Sequence, residues 1–148
     1  MAYHYLDSSA AVKLLVQEAE SAELRAWVEQ HPDLATSSLA WTEIHRALRR
    51  AGESIGALPS LMDSLLVLST DVSLLRQAGS LEPPALRSLD AIHLASALRL
   101  ASQLTGLVTY DSRLAAAAAA QGIRVVAPGS QSEPPTPTPA PPSNAADT

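Results

Sequence analysis

Apolar side chains recur along this chain with two periods, in short runs that suit strands and in steps of three and four residues that suit helices. Residues 2–6 form a short apolar, aromatic-containing run bounded by a turn, which predicts a strand. Ser8 or Ser9 followed by Val12, Leu15 and Val16 predicts a capped amphipathic helix directly after it. Further helices are expected over 21–30, over 38–51 with Gly52 as the stop, over 71–79, over 88–103 as the longest helical signal, and over 112–121. Residues 58–68 are apolar on much of a helical circumference. Extended segments are expected at 33–37 after Pro32, at 106–110 (GLVTY) and at 122–128 (GIRVVAP). Strands separated by helices imply right-handed crossovers, so the predicted fold class is α/β, a central parallel sheet with helices on both faces.

The pattern stops at Pro128. The remaining stretch, PGSQSEPPTPTPAPPSNAADT from that proline onward, is rich in proline, serine and threonine and has no apolar period. It cannot bury enough surface to offset its ordering entropy, which makes 129–148 a Pro-rich tail, disordered or extended, behind one domain at 1–128. With 148 residues, 47% of them apolar, the chain is long enough for one packed core. Cysteine is absent, which excludes disulfide scaffolds, thiolate zinc sites and cysteine nucleophiles. No signal-peptide pattern opens the chain and no apolar run is long enough to span a bilayer, so a cytoplasmic protein without membrane association is expected.

A net charge of −5 argues against a nucleic-acid partner until its distribution is considered. Residues 1–128 hold thirteen acids and ten bases, and four of those acids fall in comparable places. Asp7 ends the first predicted strand. Glu43 lies one or two turns into a helix, Asp90 in the first turn of the longest helix, and Asp111 directly after GLVTY. Strand ends and helix starts at one sheet edge would gather them, and in an open α/β sheet that edge holds the ligand. For Asp7 alone a simple helix start explains the residue as well. Without the four, nine acids face ten bases, so the acidity is concentrated in the proposed site. Four carboxylates at one edge need a counter-charge, and oxygen donors without cysteine or clustered histidine suit magnesium or manganese. Such an ion can hold a phosphate oxygen and lower the pKa of a water nucleophile.

YLDSSAAVKLL, TSSLAWTEIHRAL, LRSLDAIHLASAL and GLVTYDSRLAAAA, in that order and context, resemble the PIN-domain nucleases, in particular the VapC toxins of type II toxin-antitoxin systems. The resemblance spans residues 3–127 and implies a three-layer α/β/α PIN-like fold. Carried over position by position, Asp7, Glu43, Asp90 and Asp111 match the family's acidic quartet. Asp7, Asp90 and Asp111 would lie closest to the metal, with Glu43 acting through water. The resemblance further implies Mg2+- or Mn2+-dependent endoribonuclease activity leaving a 5′-phosphate and a 3′-hydroxyl, a cognate VapB-like antitoxin and a homodimer. Tyr110 and Ser112 flank Asp111 where some members carry a further acid.

Other polar residues are assigned around the quartet. Ser8, Ser9, Ser37 and Ser38 fit helix caps; Ser8 could also orient a metal-bound water, and Thr109 could support the terminal acid. Arg46 and Arg50, three and seven residues beyond Glu43, are candidates for RNA phosphate, against the alternative of a solvated basic face. Arg87 and Arg113 flank the acidic motifs and suit either role. His93, three residues after Asp90, fits a packing or hydrogen-bonding histidine better than a metal ligand. Trp27 and Trp41 are expected in the core. Leu14, Leu15, Leu58, Leu61 and Leu65 are expected to leave apolar surface for a partner. Two rival functions remain: a metal-independent ribonuclease built on His45 and His93, which would leave a cyclic phosphate, and a noncatalytic module that has kept the fold.

Overall fold

The computed structural model describes residues 1–141. Five parallel strands form one sheet in the order β3-β2-β1-β4-β5: β1 (Tyr3–Leu6), β2 (Leu34–Ser37), β3 (Leu66–Leu68), β4 (Leu104–Val108) and β5 (Val125–Val126). The first and second strands pair through His4 with Leu34 and Tyr5 with Ala35, and the first and fourth through Leu6 with Val108. Strand order reverses between β1 and β4, so the crevice beyond their carboxyl ends is the place for a ligand in an open α/β sheet.

Alternate strand residues feed two helical layers, because side chains on a strand point to opposite faces. Leu6, Leu34 and Val108 pack with Ala10, Leu24, Ile44, Leu48 and Met62. These come from α1 (Ser8–Lys13), α2 (Ser21–Gln30), α3 (Leu39–Arg50) and α4 (Leu58–Asp63). Their sequence neighbours Tyr5, Ala35 and Leu107, together with Val125 of β5, pack on the other face with Leu94, Ala97, Leu114 and Ala118, from α6 (Ser88–Arg99) and α7 (Ser112–Ala120). The remaining helix, α5 (Val72–Gly79), packs on α6 through Leu74, Ala78, Ala91 and Ala95. Three strand exits end in an aspartate whose side chain caps the next helix: Asp7 for α1, Asp71 for α5 and Asp111 for α7.

Three expectations need correction. The apolar stretch 58–68 splits into α4 and the edge strand β3, because its second half pairs with β2 through Val67 opposite Thr36. Trp41 is not in the core but 39% exposed, and Trp27 is only half-buried, stacked on His31 at 4.2 Å between ring centroids. Leu58 and Leu65 are buried within the chain rather than left for a partner, while Leu14, Leu15 and Leu61 are half-buried.

Residues 129–141 contain no helix or strand. Ser130 and Pro134 lie against the start of α7, and Thr138 N–H donates to Ala119 O at 2.8 Å near its end. The rest of the Pro-rich stretch expected from the sequence, 142–148, lies outside the described residues. Among the described residues no helix is long and apolar enough to cross a membrane.

Candidate active site

Two strand exits and two helices deliver the four acids. Asp7 leaves β1 and is 3% exposed. Its carboxylate accepts from Ala10 N–H at 2.9 Å, from Ser9 Oγ at 2.8 Å and from Thr109 Oγ1. It therefore caps α1, as the simple helix-start reading of this residue has it. Burial pushes its carboxyl above the usual carboxylate range, although His93, Thr109, Ala10 and Ser9 pull the other way.

Asp71 shows what the same local position looks like when it is fully compensated. Arg99 grips it through two nitrogens at 2.8 and 2.9 Å. Those bonds, with the Leu74 N–H, hold its carboxyl down at about 2. No arginine or lysine touches Asp7 among the described residues. The chemistry of the position therefore differs although both aspartates follow a strand and cap a helix.

Asp111 follows β4 and accepts from Arg113 and Leu114 N–H. Thr109 joins it to Asp7, because Thr109 Oγ1 donates to Asp7 and accepts from Asp111 N–H at 3.0 Å. Asp90, in the first turn of α6, is linked to Asp111 by Arg87, whose Nε lies 3.2 Å from Asp90 and whose Nη2 lies 3.1 Å from Asp111. Burial, and then the charge of Asp111, still holds the Asp90 carboxyl above its ordinary value despite Arg87.

Glu43 forms the other flank of the site. Its Oε1 accepts from Ser8 Oγ at 2.7 Å and from His93 Nε2 at 2.6 Å, and His93 Nδ1 is 2.7 Å from the Tyr5 hydroxyl. Burial alone would raise the Glu43 carboxyl, but its bonds to His93 and Ser8 outweigh that and hold it below the usual range. Ser8 is thus tied to Glu43 rather than capping α1, and His93 is the hydrogen-bonding residue expected, 2% exposed.

The arginine candidates separate. Arg50 lines the cleft of about 330 Å³ that also holds Glu43, Ser8 and Tyr110. Arg46 lines a different groove with Trp41, His45 and Arg49 on the other flank of α3. His45 therefore shares neither a hydrogen bond nor a groove with His93, which removes the geometric basis for a histidine-pair site. Lys13, the only lysine, is 8% exposed and spent on Glu20 at 2.8 Å and Glu18 at 3.4 Å. A larger cavity, about 780 Å³, opens between Pro83 and Leu86 on one side and Ala116 and Ala120 on the other, away from the acids.

Among the described residues no three acidic or histidine side chains are drawn close enough to enclose a metal ion. The donor set nonetheless fits a hard divalent cation. It is all oxygen, Asp7 is buried without a cationic partner, and Arg87 already supplies positive charge between Asp90 and Asp111. Tyr5, which reaches Glu43 through His93, is a member of this network that the sequence reading did not single out, and Arg87 is the bridge between Asp90 and Asp111.

The PIN domain family model matches residues 4–120. Ribonuclease VapC35 of Mycobacterium tuberculosis is 45% identical over 130 residues, covering 84% of this chain and 96% of its own length. The crystal structure of Mycobacterium tuberculosis VapC20, a sarcin-ricin loop cleaving toxin, superposes with a TM-score of 0.66 at 20% identity. It covers 84% of this chain and 99% of that one. A chain of a toxin-antitoxin complex from Klebsiella pneumoniae superposes with a TM-score of 0.59 at 17% identity, over 74% and 88% of the two chains. The structural likenesses concern the fold, and the sequence matches carry the kinship: this chain belongs to the PIN-domain family, among the VapC ribonucleases.

Proposed function

We propose that this chain is the toxin of a type II toxin-antitoxin pair, a Mg2+- or Mn2+-dependent endoribonuclease whose nuclease unit is residues 1–128 and which acts in the cytoplasm. The observation that carries the proposal is the Asp7 carboxylate, buried without a cationic partner at the point where strand order reverses and tied through Thr109 to Asp111. Asp7, Asp90 and Asp111 would hold the ion. When bound, it would polarise a phosphate oxygen and make water a better nucleophile at neutral pH.

The chain's own residues divide the remaining work. Thr109 and Ser9 fix the Asp7 carboxylate. Arg50, on the same cleft as Glu43, meets phosphate of the bound strand. Glu43 is held ionised and takes the proton of the attacking water at Oε2, which accepts no hydrogen bond from the described residues. The water oxygen bonds to phosphorus as the bond from phosphorus to the 3′-oxygen breaks. The departing 3′-oxygen keeps the electron pair and takes a proton from solvent, leaving a 5′-phosphate and a 3′-hydroxyl.

A VapB-like antitoxin and a homodimer complete the proposal. A structural neighbour comes from a toxin-antitoxin complex. In this chain the exposed Trp41 and Leu66, with the half-buried Leu14, Leu15 and Leu61, provide apolar surface for such contacts. The test is incubation of the purified chain with end-labelled single-stranded RNA and Mn2+. Wild type cleaves, and Asp90→Ala, folded by circular dichroism, does not. Equal cleavage by both would sink the proposal.

A further inference from the structure

His93 is buried beneath the site and held at both ends of its ring. Nδ1 lies 2.7 Å from the Tyr5 hydroxyl, and Nε2 lies 2.6 Å from Glu43 Oε1 and 3.2 Å from Ser8 Oγ. A carboxylate only accepts, so the proton shared by Nε2 and Oε1 belongs to the ring, and in the neutral imidazole Nδ1 accepts from Tyr5. Tyr5 is fully buried on β1, and burial raises its phenol far above the usual range, so it keeps that proton. His93 itself sits on α6, one turn beyond Asp90. Three elements, β1, α6 and α3, are therefore joined by one line of hydrogen bonds that ends on a single oxygen of Glu43.

The four acids of the site are not held alike. Asp7 and Asp111 take backbone N–H bonds as helix caps, and Asp90 takes an exposed arginine. Glu43, on a longer and more flexible side chain, has no backbone donor. Its placement depends on His93 and Ser8, both of which bind the same oxygen.

We infer that His93 is a positioning residue for the ribonuclease reaction. With Ser8 it locks Oε1 of Glu43, so that Oε2 is presented to the cleft in a fixed orientation as the acceptor of the water proton. The role rests on the ribonuclease reading above. His93 touches neither substrate nor reacting atoms, and Tyr5 in turn fixes its ring. Loss of such a supporting partner typically costs about 10- to 100-fold in activity.

The experiment compares the full chain with His93→Asn, His93→Gln and Glu43→Gln, using a fluorescently labelled single-stranded RNA oligonucleotide in Mn2+. The Asn amide does not reach Glu43, whereas the Gln amide nitrogen stands near the place of Nε2. The expected result is a kcat about 10- to 100-fold lower for His93→Asn, with KM within about twofold. Most of the rate returns in His93→Gln. The thermal shift produced by Mn2+ stays as in wild type, and His93→Asn costs nothing further in the Glu43→Gln background. Should His93→Asn fail to fold, Ser8→Ala removes the other bond to Oε1 and must show the same non-additivity with Glu43→Gln. Unchanged kcat in His93→Asn, no recovery in His93→Gln, or a full further loss on top of Glu43→Gln overturns the positioning role while leaving the ribonuclease reading intact. A wild-type chain that cuts no RNA in Mn2+ overturns the ribonuclease reading, and the positioning role falls with it.

Discussion

Arg87 Nη2 lies 3.1 Å from Asp111 Oδ2, across twenty-four positions of the chain, and the same guanidinium reaches Asp90. Positive charge from the chain itself thus stands between two of the carboxylates proposed to hold a metal. Arg87 is largely exposed, with 61% of its side chain open to solvent, and an exposed pair of this kind contributes at most about 1 kcal/mol. The arginine can therefore be displaced by an ion. Arg87→Gln should tighten Mn2+ binding by up to about fivefold, the factor that energy carries, and lower the melting temperature in EDTA by at most a few degrees. Calorimetric titration with Mn2+ checks this; weaker binding in the variant would mean that Arg87 supports the ion rather than substitutes for it.

A carboxyl raised in the folded state, as burial and Asp111 raise Asp90, binds its proton more tightly folded than unfolded. Its contribution to stability is greatest below the unfolded value and is lost as pH rises through the folded one. Asp90→Asn, neutral at every pH, should thus raise the metal-free melting temperature near neutral pH by a few degrees, the scale on which about 1 kcal/mol moves a domain of this size. The gain should vanish in acid. Asp7→Asn should gain less, because an amide nitrogen cannot accept the Ser9 and Thr109 hydroxyls. Thermal melts in EDTA across pH decide the matter: a gain for Asp90→Asn that persists in acid would show that charge is not its origin.

Thr109 is 1% exposed and its hydroxyl serves two acids at once. Thr109→Val keeps the shape but removes one of the bonds to the Asp7 carboxylate and leaves the Asp111 N–H without its partner. Leaving a buried polar group unpaired costs about 1–3 kcal/mol, so Thr109→Val should fall by that amount in urea unfolding while Thr109→Ser stays near wild type. A Thr109→Val variant as stable as wild type, with Thr109→Ser the weaker of the two, would mean that the β-branch, not the hydroxyl, matters on this strand end.

Much of the fold was legible because local signals and tertiary demands agree. The helix expected at 21–30 is α2 itself, and the strand expected at 2–6 is β1. The third strand was hidden because Leu66–Leu68 continues an apolar run begun by α4, and three residues carry no period of their own. Trp41 was misplaced because aromatic character alone says nothing about which side of α3 faces the core; Ile44 and Leu48 hold that side. The quartet could be picked out by position, yet Asp71 satisfies the same local pattern of strand exit and helix cap. The three-dimensional partner, Arg99 for Asp71 and no arginine or lysine for Asp7 among the described residues, is what tells these two aspartates apart. The bridges made by Arg87 and His93 span 24 and 50 positions, distances over which a single sequence carries no pairing signal.

The claim that an oxygen-ligated metal site cleaves RNA is tested most directly by the ends of its products. Purified chain is incubated with end-labelled RNA in Mn2+ and in EDTA, and the fragments are resolved with and without phosphatase and ligase treatment. Cleavage only with Mn2+, leaving 5′-phosphate and 3′-hydroxyl ends, is the predicted result; cleavage that persists in EDTA and leaves cyclic phosphates would contradict it.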